Sequence, residues 1–264
     1  MRSILVNGVR IAYEDSGGHG VPVVFIHAFP LNSRMWLSQV QALAPRRTVV
    51  LDLMGFGESD APDDPSAYSV DAFASQVVAV IEAAVTGPVA LCGLSLGGYV
   101  SFALLRSAPH LVAALVLADT RAEPDTAETR AKRARQQVEV RARGPGPLID
   151  ELTSTLPSQT TIRDKPGVIR RIRELMDNPP AGIVGALEAL KTRPDSTPIL
   201  RKINVPTLVI AGEDDAITPV DSARAMSESI PTSELAVIPG AGHLSNLEAP
   251  EAFNGALEAF LSRH

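Results

Sequence analysis

The sequence predicts an α/β fold with a mostly parallel central sheet flanked by helices. Short apolar runs of strand length alternate with longer segments of helical spacing, which is typical of parallel strands joined by right-handed crossovers. The runs at residues 22–27 and 48–52 are apolar at almost every position, as in strands buried on both faces. With 264 residues and 45% hydrophobic content, the chain is long enough for one domain with a sizeable core.

The elements follow in order from the amino terminus. Two β-rich runs flank Asn7-Gly8, a dipeptide that favours a hairpin turn. Further strands are expected, in order, at residues 22–27, 48–52, 88–92, 111–118, 205–212 and 234–238. The helices that belong to this sheet are expected at residues 35–44, 70–85, 99–105, 220–229 and 250–261.

The composition changes at Arg121, and from there to Arg201 the chain is rich in arginine and glutamate without a convincing strand. Helices are expected in this segment at residues 127–143, 168–176 and 181–191. We therefore expect a core domain of residues 1–120 and 202–264, into which a helical cap of residues 121–201 is inserted. Because glutamates alternate with the cap arginines, a solvated helix face is favoured over an anion-binding surface.

Charge and cysteine content exclude several function classes. A formal net charge of −6 gives the whole chain no electrostatic reason to bind nucleic acid. No apolar run approaches the length of a membrane span, and the run Ile4-Leu5-Val6 at the amino terminus is too short for a signal peptide, so no membrane partner is expected. The single cysteine, Cys92, excludes an internal disulfide and fits a cytoplasmic protein. Neither a metal-ligand cluster nor a phosphate-binding loop is visible, and we expect no metal and no cofactor.

The sequence contains one Gly-x-Ser-x-Gly, formed by Gly93, Ser95 and Gly97. An apolar strand precedes Ser95 and a helical run follows it, which is the context of a nucleophile elbow. Small residues must flank the serine, since a Cβ at either glycine would meet the neighbouring strand or helix. The helix amino terminus then points at the serine and suits an oxyanion.

A serine hydroxyl needs a base within hydrogen-bond reach, and the base needs a carboxylate partner. His243 follows a glycine-rich turn after the last strand, so its loop can bring it over the sheet edge. Asp215, in the loop after the preceding strand, is the favoured carboxylate. Asp119 also ends a strand, and Asp214 is adjacent to Asp215, so both stay open as alternatives.

The order Ser95, Asp215, His243 and several separate motifs resemble the α/β-hydrolase superfamily over nearly the whole chain. The motifs are His27-Ala28-Phe29-Pro30, Gly55-Phe56-Gly57-Glu58-Ser59 after Asp52, the Leu94–Gly98 elbow, Gly212-Glu213-Asp214-Asp215 and Gly242-His243. Within the superfamily the chain is most similar to serine hydrolases such as esterases, 3-oxoadipate enol-lactonases and cofactor-free perhydrolases.

This resemblance implies an oxyanion hole formed by the backbone N–H groups of Phe29 and Leu96. Ala28 stands where the family usually has glycine, so its methyl could narrow the oxyanion loop or change its backbone angles. The substrate pocket is expected to be mostly apolar and to include His27, Ala28, Leu94 and Trp36.

Together these features predict a carboxylic-ester hydrolase that acts on small to medium esters or lactones through an acyl-enzyme. Enol-lactonase or perhydrolase activity would use the same triad. The rival class is a ligand receptor or signalling protein of the same fold, because a fold and a triad do not by themselves establish catalysis.

Overall fold

A computed structural model describes all residues 1–264. The eight strands are β1 (Arg2–Val6), β2 (Val9–Asp15), β3 (His19–Ile26), β4 (Arg46–Leu51), β5 (Val89–Leu94), β6 (Val112–Ala118), β7 (Thr207–Gly212) and β8 (Ser233–Ile238). The eleven α-helices are α1 (Leu37–Ala42), α2 (Val70–Ala84), α3 (Leu96–Ser107), α4 (Ala127–Arg143), α5 (Gly146–Thr155), α6 (Gln159–Asp164), α7 (Pro166–Leu175), α8 (Pro180–Thr192), α9 (Val220–Ser229), α10 (Ser245–Glu248) and α11 (Pro250–Leu261).

All eight strands form one sheet in the order β1-β2-β4-β3-β5-β6-β7-β8. Strands β3 to β8 run parallel, and β2 is antiparallel to both of its neighbours. The predicted mostly parallel sheet is therefore confirmed. The order reverses between β3 and β5, and a crevice at the carboxyl ends of the strands beside such a reversal is where open α/β sheets bind ligands.

Successive side chains of the central strands point to opposite faces, and helices cover both faces. On one face, Val24 and Ile26 of β3 belong to a cluster that includes side chains of α2, α3 and α9. On the other face, Val23 and Phe25 belong to a cluster that includes side chains of α11. This double burial explains why the strand sequences are almost continuously apolar.

The chain between β6 and β7 contains the five helices α4 to α8 and no strand. Helices α4, α5 and α8 contribute to a small apolar cluster of their own, formed by Val140, Leu148, Ile183, Val184 and Leu187. Phe29, which follows β3, packs against this cluster. The helical segment thus reaches the carboxyl ends of the strands. None of the helices in the chain is both long and apolar enough to cross a bilayer.

Candidate active site

Ser95 occupies the turn between β5 and α3, with φ of 53° and ψ of −108°. This backbone conformation is costly for a residue with a side chain. The flanking glycines permit it, because a Cβ on Gly93 would lie 2.3 Å from the Gly97 carbonyl oxygen and a Cβ on Gly97 2.3 Å from the Ile26 carbonyl oxygen. The predicted strand-turn-helix elbow and its steric reason are both confirmed.

A chain of hydrogen bonds links Ser95, His243 and Asp215. The Ser95 Oγ lies 2.9 Å from His243 Nε2, and His243 Nδ1 lies 2.8 Å from Asp215 Oδ2. Because a carboxylate only accepts, we assign the ring proton to Nδ1, which leaves Nε2 free to accept from the serine hydroxyl. His243 and Asp215 are buried and Ser95 is partly exposed, so Ser95 is the member of this triad that solvent reaches.

The surroundings of Asp215 favour its ionised form. Its Oδ1 accepts from the N–H groups of Ile217 and Thr218 at 2.7 and 2.9 Å, and its Oδ2 accepts from the Thr218 hydroxyl at 2.6 Å. Burial opposes ionisation, but His243 and the Thr218 donors hold the pKa of Asp215 below its ordinary value. Burial likewise opposes the charged form of His243, and the carboxylates around it, above all Asp215, raise the His243 pKa above its ordinary value.

The two alternative carboxylates have other partners. Asp119 accepts from the Gly212 N–H at 2.8 Å and from the Ser245 N–H and hydroxyl at 3.2 and 2.5 Å. Burial, together with the nearby charge of Asp215, raises the pKa of Asp119 to about 7. Asp214 is exposed. Of the three candidates, only Asp215 contacts the His243 ring.

Two backbone N–H groups were predicted as oxyanion donors, those of Leu96 and Phe29. Leu96 is the first residue of α3, so its N–H has no acceptor within the helix and lies at the positive end of the helix dipole. The N–H of Phe29, in the turn after β3, donates to no protein group. Ala28 does not adopt a positive φ, so the methyl at this position imposes no left-handed backbone strain on the oxyanion loop.

The four side chains predicted to line a pocket are all fully buried. His27 Nε2 accepts from the Leu53 N–H at 3.0 Å, and burial lowers the pKa of its ring, so His27 ties the oxyanion loop to the loop after β4 as a neutral group. The Trp36 ring packs against Phe25, with centroids 4.8 Å apart. The four residues His27, Ala28, Trp36 and Leu94 are packed in the protein interior, and their contact with a substrate stays a prediction.

Two residues near the site carry no signal in the sequence motifs. The Thr120 hydroxyl, just beyond β6, donates to the Ser95 carbonyl oxygen at 2.9 Å and holds the elbow from the side. Glu248 is buried and accepts from backbone N–H groups on both sides of His243. Their positions depend on tertiary packing, so spacing along the chain could not identify them.

Residues 21–250 match the family described as the alpha/beta hydrolase fold. Because this match spans most of the chain and agrees with the sheet and the elbow, the protein belongs to the α/β-hydrolase family.

Known relatives within the family include esterases and lactonases. The chain is 30% identical to 3-oxoadipate enol-lactonase 2 of Acinetobacter baylyi, over 99% of this chain and 96% of the relative. A thermophilic esterase from Thermogutta terrifontis, in a structure with malate bound, is 37% identical with a TM-score of 0.93, covering 100% of this chain and 99% of the esterase. The enol-lactonase from Burkholderia xenovorans LB400 is 26% identical with a TM-score of 0.91, covering 99% and 100% of the two chains.

Proposed function

We propose that this protein is a serine hydrolase of carboxylic esters and lactones, with Ser95 as nucleophile, His243 as general base and Asp215 as its carboxylate partner. The observation that carries the proposal is the hydrogen-bonded path from Ser95 Oγ through His243 to Asp215, with steps of 2.9 and 2.8 Å. A nucleophile within reach of a base that is itself oriented by a third group is the arrangement that activates a serine.

The reaction begins when Ser95 Oγ attacks the ester carbonyl and its proton passes to His243 Nε2. The carbonyl oxygen becomes an oxyanion, which the N–H groups of Phe29 and Leu96 stabilise. As the intermediate collapses, the C–O bond to the alcohol breaks and His243 returns the proton to the leaving oxygen. Water, deprotonated by His243, then attacks the acyl-enzyme; the carboxylic acid leaves and Ser95 regains its proton.

The ionised Asp215 keeps the Nδ1 proton in place and stabilises the imidazolium that forms during each half-reaction. The base is active only in its neutral form. Since the carboxylates around His243 raise its pKa, hydrolysis should increase with pH through a value above the ordinary histidine pKa of about 6.5.

Lactones are cyclic esters and fit the same mechanism, with the leaving alcohol still attached to the acyl group. Similarity to enol-lactonases supports this substrate class beside simple esters. No cofactor takes part in these steps. We further propose that residues 121–201 form a cap above Ser95, supported by the packing of Phe29 against the apolar cluster of α4, α5 and α8. A cap in this position limits acyl length and favours small to medium substrates.

The test compares Ser95→Ala with Ser107→Ala, a matched change at an exposed serine at the far end of helix α3. Ser95→Ala should lower kcat/KM for a nitrophenyl ester by on the order of 10³-fold or more, and Ser107→Ala should leave it unchanged. A fluorophosphonate should label Ser95, as read by peptide mass spectrometry. Labelling elsewhere, or an active Ser95→Ala enzyme, would refute the proposed nucleophile.

A panel of esters, lactones and peroxide acceptors then defines the chemistry. Short acyl chains should give the highest kcat/KM, and a steady increase up to long chains would contradict the cap proposal. Tight ligand binding with a single slow turnover would instead favour a receptor, and acyl transfer to hydrogen peroxide faster than to water would favour a perhydrolase.

A further inference from the structure

Glu248 is a buried carboxylate that contacts neither Ser95 nor the His243 ring. Its Oε2 accepts from the N–H groups of Ser158 and Gly242 at 2.8 and 3.0 Å, and its Oε1 accepts from the Leu244 N–H at 3.1 Å. A carboxylate only accepts hydrogen bonds, which matches three backbone donors. The residues on both sides of His243 are therefore bound by one side chain.

The third donor comes from a different part of the chain. Ser158 lies in the turn between α5 and α6, some 90 positions from Glu248. The contact with Ser158 lies outside the short helix α10, so Glu248 does more than accept from N–H groups at the start of that helix. Glu248 instead joins the His243 loop to the helical segment that follows β6.

Two further contacts hold the same turn against the loop. The His243 N–H donates to the Leu156 carbonyl oxygen at 2.8 Å, and the Ser158 hydroxyl donates to the Gly240 carbonyl oxygen at 2.9 Å. The approach is so close that a Cβ on Gly242 would lie 2.4 Å from the Ser158 nitrogen. The backbone of the proposed base thus rests on the α5–α6 turn.

We propose that Glu248 is a positioning residue for His243: it fixes the His243 loop from both sides, anchors that loop to the α5–α6 turn, and adds a negative charge beside the base. This inference rests on the proposed function, in which His243 transfers the proton. Because a displacement of about 1 Å can slow a positioned reaction by ~100-fold, the rate depends on such anchoring.

The charges around His243 come from several elements. Asp215 lies in the loop after β7, Asp119 at the end of β6 and Glu248 in α10, and all three favour the charged ring. Lys165 brings a positive charge nearby, since its Nζ donates to the Glu248 carbonyl oxygen at 2.7 Å. Burial opposes these carboxylates, and the pKa of His243 is raised on balance. Removing the charge of Glu248 should therefore lower the His243 pKa.

The experiment compares Glu248→Gln with Glu251→Gln, which makes the same change at an exposed glutamate three positions further on. Glu248→Gln should lower kcat by about 10- to 100-fold with KM changed less than about threefold, since the proton-transfer geometry suffers more than substrate binding. The rise of kcat/KM with pH should move to lower pH, because a less basic His243 becomes neutral earlier. Glu251→Gln should change none of these quantities.

A second measurement does not depend on hydrolysis. Imidazole nitrogen NMR gives the titration of His243 directly, and Glu248→Gln should shift it to lower pH, as in the kinetic profile. Glu248→Asp keeps the charge but shortens the reach, so it should retain the His243 titration while kcat falls. This variant also serves if the glutamine variant fails to fold.

The outcomes separate the two proposals. If no ester is hydrolysed, or if Ser95→Ala stays active, the proposed function fails while the NMR titration still tests Glu248. If Glu248→Gln lowers only the melting temperature and leaves both kcat and the His243 titration unchanged, Glu248 has a structural role alone and the inference is wrong.

Discussion

Replacing Arg193 by alanine should destabilise the fold, because Arg193 belongs to a buried cluster of charged side chains that joins the two ends of the helical segment. The Asp125 side chain, which is fully buried before α4, binds Arg193 after α8 at 2.5 Å. Arg133 and Arg121 also bind Asp125. Arg193 donates to two carbonyl oxygens as well, at 3.0 and 3.1 Å, and its guanidinium lies 4.2 Å from the Tyr99 ring centroid.

The expected loss in the free energy of unfolding depends on which charged groups remain without a partner after each substitution. Breaking a buried ion pair costs about 3–5 kcal/mol when the remaining charge is uncompensated. Arg193→Ala leaves Asp125 with two arginines, so the pair contributes less than that limit, whereas the lost contact with Tyr99 adds about 1–2 kcal/mol. We expect a total of about 2–4 kcal/mol. Asp125→Ala leaves Arg193, whose side chain is 2% exposed, without its counter-ion and should cost about 3–5 kcal/mol.

Urea unfolding measures these changes, with the fluorescence of Trp36, the single and fully buried tryptophan, as the signal. Arg133→Ala is the control, because its side chain is 18% exposed and the loss should be smaller. Burial opposes the ionised form of Asp125, but Arg133 and Arg193 hold its pKa below the ordinary value. The stability that the ionised carboxylate contributes is therefore present at neutral pH and is lost as pH falls below about 4. A cost below about 1 kcal/mol for Arg193→Ala, or equal costs for Asp125→Ala and Arg133→Ala, would refute this reasoning.

Three further predictions concern the proposed chemistry. Asp215→Asn should lower kcat/KM for a nitrophenyl ester more than Asp119→Asn, because only Asp215 contacts His243; a larger loss for Asp119→Asn would assign the acid to β6. The kcat/KM profile should rise through a pKa above about 6.5, since the carboxylates keep the His243 base charged at lower pH, and a midpoint below that value would contradict the charge assignment. Ala28→Gly should change kcat by less than about tenfold, against the ~10²–10³-fold of a lost oxyanion donor; a collapse of kcat would mean that the methyl positions the Phe29 N–H.

The sheet was predictable because its strands follow a simple physical rule. Strands buried on both faces need apolar residues at nearly every position, and the central strands β3 to β7 lie where those runs occur. The elbow was predictable for a similar reason, since the close approach of Ile26 and Gly97 to the turn demands glycines.

Other parts depend on contacts that the sequence does not encode locally. The helix predicted over residues 127–143 coincides with α4, but helix α5 was not predicted: it begins at Gly146 in a Gly-Pro-Gly-Pro stretch that is typical of a loop, although proline is also favoured in a first helical turn. The short helices α6 and α10 are too brief for a periodic pattern. Nothing in the sequence around Glu248 distinguishes it from other glutamates, because its partner Ser158 is brought close only by folding.

The backbone at Ser95 has a consequence for how such a protein changes under selection. Its φ of 53° places a side chain where glycine is favoured, at a cost of about 1–3 kcal/mol. Glycine there would release that strain, against roughly 0.5–1 kcal/mol of added freedom in the unfolded chain. Selection for heat tolerance alone would therefore favour glycine at this position. On the proposed function, the hydroxyl of Ser95 is the reason that this position keeps a strained serine in place of glycine.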